Sequence, residues 1–348
     1  MKIARHYEEK ENNQVQCNLC PHNCLISDGK SGICRIRKNI DGKLYLSTYG
    51  SASSIGFDPI EKKPLYHFYP GNFIFSIGNF GCNLKCRFCQ NWQISQQEPE
   101  GFETNRLHEV EELVHLADHR RKNIGIAYTY NEPTVWFEFM EDIAVRAKKR
   151  GLKNVMVTNG FINPKPLDEL VDVMDAFNVD LKAFNEDFYK RQTFSKLEPV
   201  KETLKTIRKS GKHLEITNLV ITGLNDDYRE FSEMIRWIAG ELGSNTVVHL
   251  SRYYPSYKLA NPSTDPDMLE ELHGIAREEL DFVYLGNIRS REGQHTYCPS
   301  CGSKVISRSR YQISINGLDG DGKCLGCSYH VVEDFKFDHP EFNHMQEV

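Results

Sequence analysis

Three cysteines stand in one nine-residue stretch of the chain, Gly81-Cys82-Asn83-Leu84-Lys85-Cys86-Arg87-Phe88-Cys89. A cubane [4Fe–4S] cluster normally takes four cysteine ligands. Three thiolates in the spacing C-x3-C-x2-C can hold three of its irons and leave the fourth iron open. A zinc site with its fourth ligand elsewhere is the alternative. The stretch therefore predicts a metal centre at which one coordination position is free for a cofactor.

On both sides of this stretch, from about residue 63 to 290, short apolar runs alternate with amphipathic segments. The runs predict strands at Phe73–Ile77, Ile124–Tyr128, Asn154–Thr158, Ala176–Leu181, Leu214–Ile221, Thr246–Leu250 and Phe282–Leu285. Helical periodicity fills the gaps between the runs. Alternating strands and helices predict an α/β fold with a parallel sheet covered by helices. Six or so repeats predict a partial (β/α)6-type barrel, and a doubly wound open sheet is the alternative.

The other eight of the eleven cysteines form one group of four on each side of this region. The C-terminal group is CxxC…CxxC, and four thiolates complete the tetrahedron of a structural zinc: Cys298, Cys301, Cys324 and Cys327. The N-terminal group lies within eighteen positions: Cys17, Cys20, Cys24 and Cys34. Zinc is favoured there, because residues 1–62 otherwise lack a core and need a staple. An auxiliary iron–sulfur cluster is the alternative.

These groups divide the chain into three predicted regions. Residues 1–62 form an N-terminal four-cysteine metal-binding region, residues 63–290 form the barrel, and residues 291–348 form a C-terminal zinc-ribbon-like lobe with a charged tail. Cysteines grouped as metal ligands, rather than paired in disulfides, are typical of a reducing compartment. No apolar run is long enough to cross a bilayer, and the first residues lack a signal-peptide core. We therefore expect a cytoplasmic protein.

The net charge of −5 argues against a nucleic-acid groove, which usually needs a basic surplus.

In barrels of this kind, active-site residues sit at the carboxyl ends of the strands. Polar residues follow three predicted strands at these ends: Asn131 and Glu132, then Asn159, then Asp180 and Lys182. Lys182 can pair with a carboxylate, Asp180 can orient that lysine, and Asn159 offers both donors and acceptors.

Two later strands add candidates. Glu215 and Thr217 share one face of the fifth strand and are predicted to meet ribose hydroxyls inside the barrel. His249, on the sixth strand, is a candidate catalytic base or proton donor, although a strand histidine is more often a hydrogen-bonded core residue. The following Arg252, Tyr253 and Tyr254 are predicted to shape the substrate entrance.

The cysteine triplet with an aromatic residue before its last member resembles the signature of the radical S-adenosylmethionine (radical SAM) enzymes, with Phe88 in the aromatic place. These enzymes carry a Gly-Gly-Glu-type motif at the second strand end, which holds the amino group of the SAM methionine. Asn131 stands where that motif has a glycine. The resemblance implies that Glu132 keeps the role, and that the segments around Asn159 and Asp180–Lys182 line the SAM pocket.

The layout further resembles the radical SAM member of the AmmeMemoRadiSam system, which is related to pyruvate formate-lyase activating enzymes. The matching stretches are Cys17–Cys24, Gly78–Ser95, Tyr128–Pro133, Leu250–Pro255 and Tyr297–Pro299. This resemblance implies Memo-like and AMMECR-like partner proteins. A one-electron donor such as flavodoxin or ferredoxin is also expected.

We therefore expect reductive cleavage of SAM to methionine and a 5′-deoxyadenosyl radical, which takes a hydrogen atom from a substrate. A small metabolite handled together with the two companions is the favoured substrate. Two other functions stay open. One is the activation of a glycyl-radical enzyme, and the other is a non-catalytic, zinc-stapled module that binds a protein or RNA.

Overall fold

The computed structural model describes residues 1–97, 106–120, 122–288, 292–309 and 311–336. Most of the charged tail predicted after the C-terminal lobe falls on residues 337–348, which lie outside the described residues. Within the described ranges, none of the helices combines the length and the apolar character that a membrane crossing requires.

The N-terminal region forms two small antiparallel sheets. Their strands are β1 (Lys2–Ile3), β2 (Tyr7–Glu9), β3 (Val15–Cys17), β4 (Leu25–Ile26), β5 (Arg37–Ile40) and β6 (Lys43–Leu46). Strands β1, β6 and β5 pair in that order, and β2, β3 and β4 form the second sheet. The β5–β6 hairpin turns at Asp41 and Gly42, whose positive φ angles of 53° and 78° match a tight hairpin turn.

An eight-stranded sheet forms the core of the molecule. Its strands are β7 (Ser54–Pro59), β8 (Phe73–Gly78), β9 (Asn123–Tyr128), β10 (Lys153–Thr158), β11 (Ala176–Asp180), β12 (His213–Val220), β13 (Val247–Arg252) and β14 (Val283–Gly286). They lie side by side in order of sequence, from β7 at one edge to β14 at the other. All neighbours are parallel except β7, which runs antiparallel to β8.

Helices connect the parallel strands and cover the sheet. They are α1 (Trp92–Ser95), α2 (Val110–Asp118), α3 (Phe137–Lys149), α4 (Pro164–Val173), α5 (Glu186–Phe188), α6 (Glu198–Lys209), α7 (Tyr228–Leu242) and α8 (Pro266–Arg277). Strands β8 to β13 are each followed by a covering helix, and β14 completes the series. This arrangement confirms the predicted partial (β/α)6-type barrel. Each predicted strand lies within two residues of the observed one.

The eight-stranded sheet begins before residue 63, where the barrel was predicted to start, because β7 joins the sheet as an edge strand. Ile55 and Phe57 on its outer face are partly exposed, at 43% and 37% of their full surface. Such a strand is buried on one face only and lacks the continuous apolar run that marked the inner strands.

The C-terminal lobe lies under the amino ends of the last strands. It consists of β15 (Thr296–Tyr297), β16 (Lys304–Ser309) and β17 (Gln312–Ile315), paired antiparallel. Its apolar residues pack against Val247 and Phe282, at the starts of β13 and β14. Asp334 reaches farther, and its carboxylate lies 3.0 Å from Nδ1 of His213, the first residue of β12. The lobe therefore forms a floor at the end of the barrel opposite the strand carboxyl ends.

Candidate functional site

The three cysteines of the central stretch follow the end of β8 and line one cavity of about 510 Å³ at the carboxyl ends of the strands. All three thiols are free. Burial raises their pKa values, that of Cys86 to about 12, although the nearby Lys182 acts in the opposite direction. A bound metal favours the thiolate form, so these thiols are expected to deprotonate on metal binding.

Hydrogen bonds from two sides hold the cysteine loop. The side-chain amide of Asn131 donates to the carbonyls of Phe80 and Gly81, both at 2.8 Å, and its oxygen accepts from the backbone of Asn79 at 3.0 Å. On the other side, the backbone nitrogens of Lys85 and Arg87 donate to carbonyls of the turn after α5, each at 2.9 Å. Asn131 therefore positions the loop, a role that the strand-end pattern did not indicate.

Glu132 is buried in the wall of the same cavity. One carboxylate oxygen accepts from Thr134 N at 3.0 Å and from the Thr158 hydroxyl at 2.7 Å, and the other accepts from Asn159 N at 2.8 Å. Burial nevertheless raises the pKa of Glu132. A carboxylate oxygen can accept more than one hydrogen bond, so this fixed carboxylate keeps capacity for a further donor from the cavity.

The side-chain amide of Asn159 contacts residues of the cysteine loop. Its nitrogen donates to the side-chain oxygen of Asn83 at 2.9 Å and lies 3.7 Å from Sγ of Cys82, while its oxygen accepts from Phe161 N. Asn159 thus lies directly against the first cysteine.

Lys182 and Asp180 form an ion pair in the cavity wall, with 2.8 Å between Nζ and Oδ2. Burial alone lowers the pKa of Lys182, but Asp180 and Cys86 outweigh it and raise the pKa, so the ammonium stays charged. Phe88 is buried beneath it, with its ring centre 5.8 Å from Nζ. Thr217 lines the cavity too, and its hydroxyl donates to Asn178 at 2.9 Å.

A second cavity of about 800 Å³ adjoins the first and shares with it the lining residues Lys62, Gln90, Ser251 and Asn287. His249 lines it, and its Nε2 lies 2.5 Å from the carboxylate of Glu215. Charged and aromatic side chains complete the wall, among them Glu61, Arg252 and Tyr254.

Glu215 does not offer free oxygens to a ribose, as its place on β12 suggested. Its carboxylate binds His249 and His213 and also accepts from the backbone nitrogens of Tyr66 and His67, at 2.9 and 2.7 Å. Burial alone raises the pKa of Glu215, but the two histidines outweigh it and lower the pKa. This carboxylate therefore fixes the segment 64–68 inside the barrel. No pattern in the sequence had indicated a role for that segment.

The C-terminal cysteines converge closely. The Sγ atoms of Cys298 and Cys327 lie 3.5 Å apart, those of Cys301 and Cys324 lie 3.6 Å apart, and all four lie within 4.8 Å of one another. Four sulfurs at the zinc–sulfur distance of about 2.3 Å stand about 3.8 Å apart in a tetrahedron. The geometry therefore fits a four-thiolate metal ion. The N-terminal cysteines line a separate small cavity.

Comparison with known proteins identifies the class. The model of the radical SAM superfamily matches residues 77–238. An uncharacterized protein of Methanocaldococcus jannaschii is 44% identical over 330 residues, which cover 94% of this chain and 98% of the relative. The pyruvate formate-lyase 1-activating enzyme of Escherichia coli K12 is 25% identical over 152 residues, which cover 42% of this chain and 61% of that enzyme.

A solved radical SAM methyltransferase from Sphaerobacter thermophilus shares the fold, with a TM-score of 0.50 and 17% identity over 63% of this chain and 67% of that one. Residues 77–238 of the chain therefore form a radical SAM domain, which has homology to pyruvate formate-lyase activating enzymes. A domain of this kind implies an enzyme with radical chemistry that uses a [4Fe–4S] cluster and SAM.

Proposed function

We propose that the chain is a radical SAM enzyme whose cluster is held by Cys82, Cys86 and Cys89. One observation carries this proposal: the three thiols share a single cavity with a fixed carboxylate and a buried ammonium. When bound, the cluster and SAM supply one-electron cleavage of the sulfonium, which gives methionine and a 5′-deoxyadenosyl radical that takes hydrogen from a substrate.

The chain's own residues bind and orient the cofactor in this proposal. Glu132 accepts hydrogen bonds from the methionine ammonium group, because its carboxylate is held rigidly and keeps acceptor capacity. Lys182, held by Asp180, pairs with the methionine carboxylate. Asn159 and Phe88 shape the wall beside the cysteines, and the hydroxyl of Thr217 faces the ribose.

We propose that the substrate is a small molecule that occupies the second cavity. Its volume of about 800 Å³ lies within the usual range for small-molecule sites. Glu61, Lys62 and Arg252 give the wall charges of both signs, which suits a polar, charged metabolite. His249, which is hydrogen-bonded to Glu215, is the candidate proton donor or acceptor.

The proposed partners are Memo-like and AMMECR-like proteins and a one-electron donor such as flavodoxin or ferredoxin. Omitting either companion from a reconstituted reaction is expected to reduce turnover of the metabolite. Turnover that is indifferent to both would count against this assignment.

The C-terminal cysteines are proposed to bind a structural Zn²⁺. Their sulfur spacing fits a closed four-thiolate site with no position left for a substrate. The bound ion would then stabilise the C-terminal lobe, which forms the floor of the barrel.

The Cys86→Ala variant tests the central proposal. With dithionite as reductant and SAM as substrate, anaerobically purified wild-type protein is expected to produce 5′-deoxyadenosine and the variant is not. Lys85→Ala is the matched control, because Lys85 is an exposed side chain in the same loop. Unchanged 5′-deoxyadenosine production by Cys86→Ala would refute the proposal. A colourless wild-type protein that carries only zinc would instead favour the non-catalytic module.

Activation of a glycyl-radical enzyme is the second candidate, because the similarity to pyruvate formate-lyase 1-activating enzyme favours it. An electron-spin signal of a glycyl radical on a co-purified partner protein, dependent on SAM and on this chain, would support that function over the small-molecule reaction.

A further inference from the structure

The N-terminal cysteines share one small cavity with apolar and polar neighbours. Cys17, Cys20, Cys24 and Cys34 all line a cavity of about 20 Å³, which can accommodate a water-sized sphere. Four sulfurs at about 2.3 Å from a zinc leave no such room between them. In the described part of the chain, no group that includes these thiols meets the 4.8 Å limit that the C-terminal four satisfy. These four thiols are therefore less closely grouped than the C-terminal four, which leaves room for a group larger than a single ion.

An unused donor also lines this cavity. Arg37 is 1% exposed, and its two terminal nitrogens bind the carboxylate of Glu138, each at 2.9 Å. Its Nε is buried and has no hydrogen-bond partner among the described residues. An orphaned buried N–H is costly, and cluster sulfurs accept such hydrogen bonds. Since Arg37 lines the cavity, a sulfur of a cluster bound there is a candidate acceptor for this donor.

The cavity lies directly beside the central cysteine loop. Gly81 has a φ of +78°, and a Cβ there would stand 2.5 Å from the carbonyl oxygen of Cys34. His22 Nε2 donates to the carbonyl of Asn83 at 2.8 Å. Asn83 lines the cavity, and its side-chain oxygen lies 4.0 Å from Sγ of Cys82. A single layer of residues thus separates the two groups of cysteines.

We propose that Cys17, Cys20, Cys24 and Cys34 ligate an iron–sulfur cluster that passes single electrons to the centre held by the loop cysteines. The inference rests on the proposed function for its electron acceptor. It replaces the zinc that was favoured from the sequence because residues 1–62 otherwise lack a core. A reduced one-electron carrier of the flavodoxin or ferredoxin class loses one electron to the N-terminal cluster. That electron then reduces the loop cluster, and no bond is made or broken in either transfer.

The triple variant Cys82→Ala/Cys86→Ala/Cys89→Ala isolates the N-terminal site. Purified anaerobically, it is expected to keep iron and sulfide, the brown absorption of a cluster, an electron-spin signal after dithionite reduction, and one zinc per chain. Two zincs per chain without iron, or one zinc and no other metal, would overturn the proposal. This readout does not depend on SAM cleavage, so it remains decisive even if the proposed reaction is refuted.

The double variant Cys17→Ser/Cys34→Ser tests the relay in the full-length protein with the loop intact. It is expected to lose about half of the iron. With dithionite, which reaches the loop directly, 5′-deoxyadenosine formation should persist, whereas with reduced flavodoxin it should fall at least tenfold. Equal rates with flavodoxin in the variant and the wild type would overturn the relay. If this variant fails to fold, the metal content of the triple variant still decides the ligation.

Discussion

Replacing Asn131 by alanine is the sharpest test of how the cysteine loop is held. The substitution removes three hydrogen bonds, two donated to the carbonyls of Phe80 and Gly81 and one accepted from Asn79. Each such bond contributes about 0.5–1.5 kcal/mol, so the three bonds together contribute about 1.5–4.5 kcal/mol to the ordering of the loop. A loss of about 3 kcal/mol corresponds to roughly a hundredfold shift toward disordered loop conformations.

The expected result is a cluster that is lost faster, together with slower SAM cleavage. We would measure the release of iron to a chelator under anaerobic conditions and the rate of 5′-deoxyadenosine formation with dithionite. Asn72→Ala is the matched control, because it removes a side-chain amide that donates to one carbonyl at 2.9 Å, at the opposite end of β8. Iron release and cleavage rates in Asn131→Ala equal to those of the control would refute the positioning role.

Three further perturbations have defined outcomes. Gly81→Ala places a Cβ against the Cys34 carbonyl at a positive φ, so urea unfolding should show a loss of about 2–3 kcal/mol, and wild-type stability would contradict the close contact. If the C-terminal thiols bind the proposed zinc, Cys301→Ser should release it and open the lobe to limited proteolysis, and an unchanged zinc content would argue against that site. Burial lowers the pKa of His213, but Asp334 and Glu215 outweigh it and raise the pKa to about 9. The stabilisation from this shift, about 3 kcal/mol, is therefore complete below the unfolded pKa of 6.5 and lost as pH rises through about 9, and Asp334→Asn should reduce this loss.

The barrel could be predicted from the sequence because its parallel strands are buried on both faces. Val155 and Ile216, for example, belong to apolar runs that no exposed strand would carry. The edge strand β7 gave a weaker signal, since only one of its faces is covered. That the residues at the strand ends lie close together could also be predicted. The parallel topology brings the carboxyl ends of β8 to β12 to one side of the sheet.

Other features depend on contacts between elements and left no pattern in the sequence. Glu215 was expected at a ribose, but its partners come from β13 and from the segment 64–68, which the sequence cannot pair with β12. Asn131 lies at the predicted strand end, yet the role of its amide depends on carbonyls about fifty positions earlier. The spacing of Cys17 to Cys34 in sequence is compatible with zinc or an iron–sulfur cluster, and the proposal of a cluster depends on the cavity that these thiols line in the fold.

The floor of the barrel has a consequence for synthesis in the cell. The strands from β8 to β14 leave the ribosome before the residues that close the barrel from below, because Asp334 reaches back to His213 across more than a hundred positions. The nascent barrel must therefore persist with its base uncovered. We expect this interval to be the stage at which the chain most needs a chaperone, and an early stop codon before the C-terminal cysteines to yield aggregated protein rather than a smaller working enzyme.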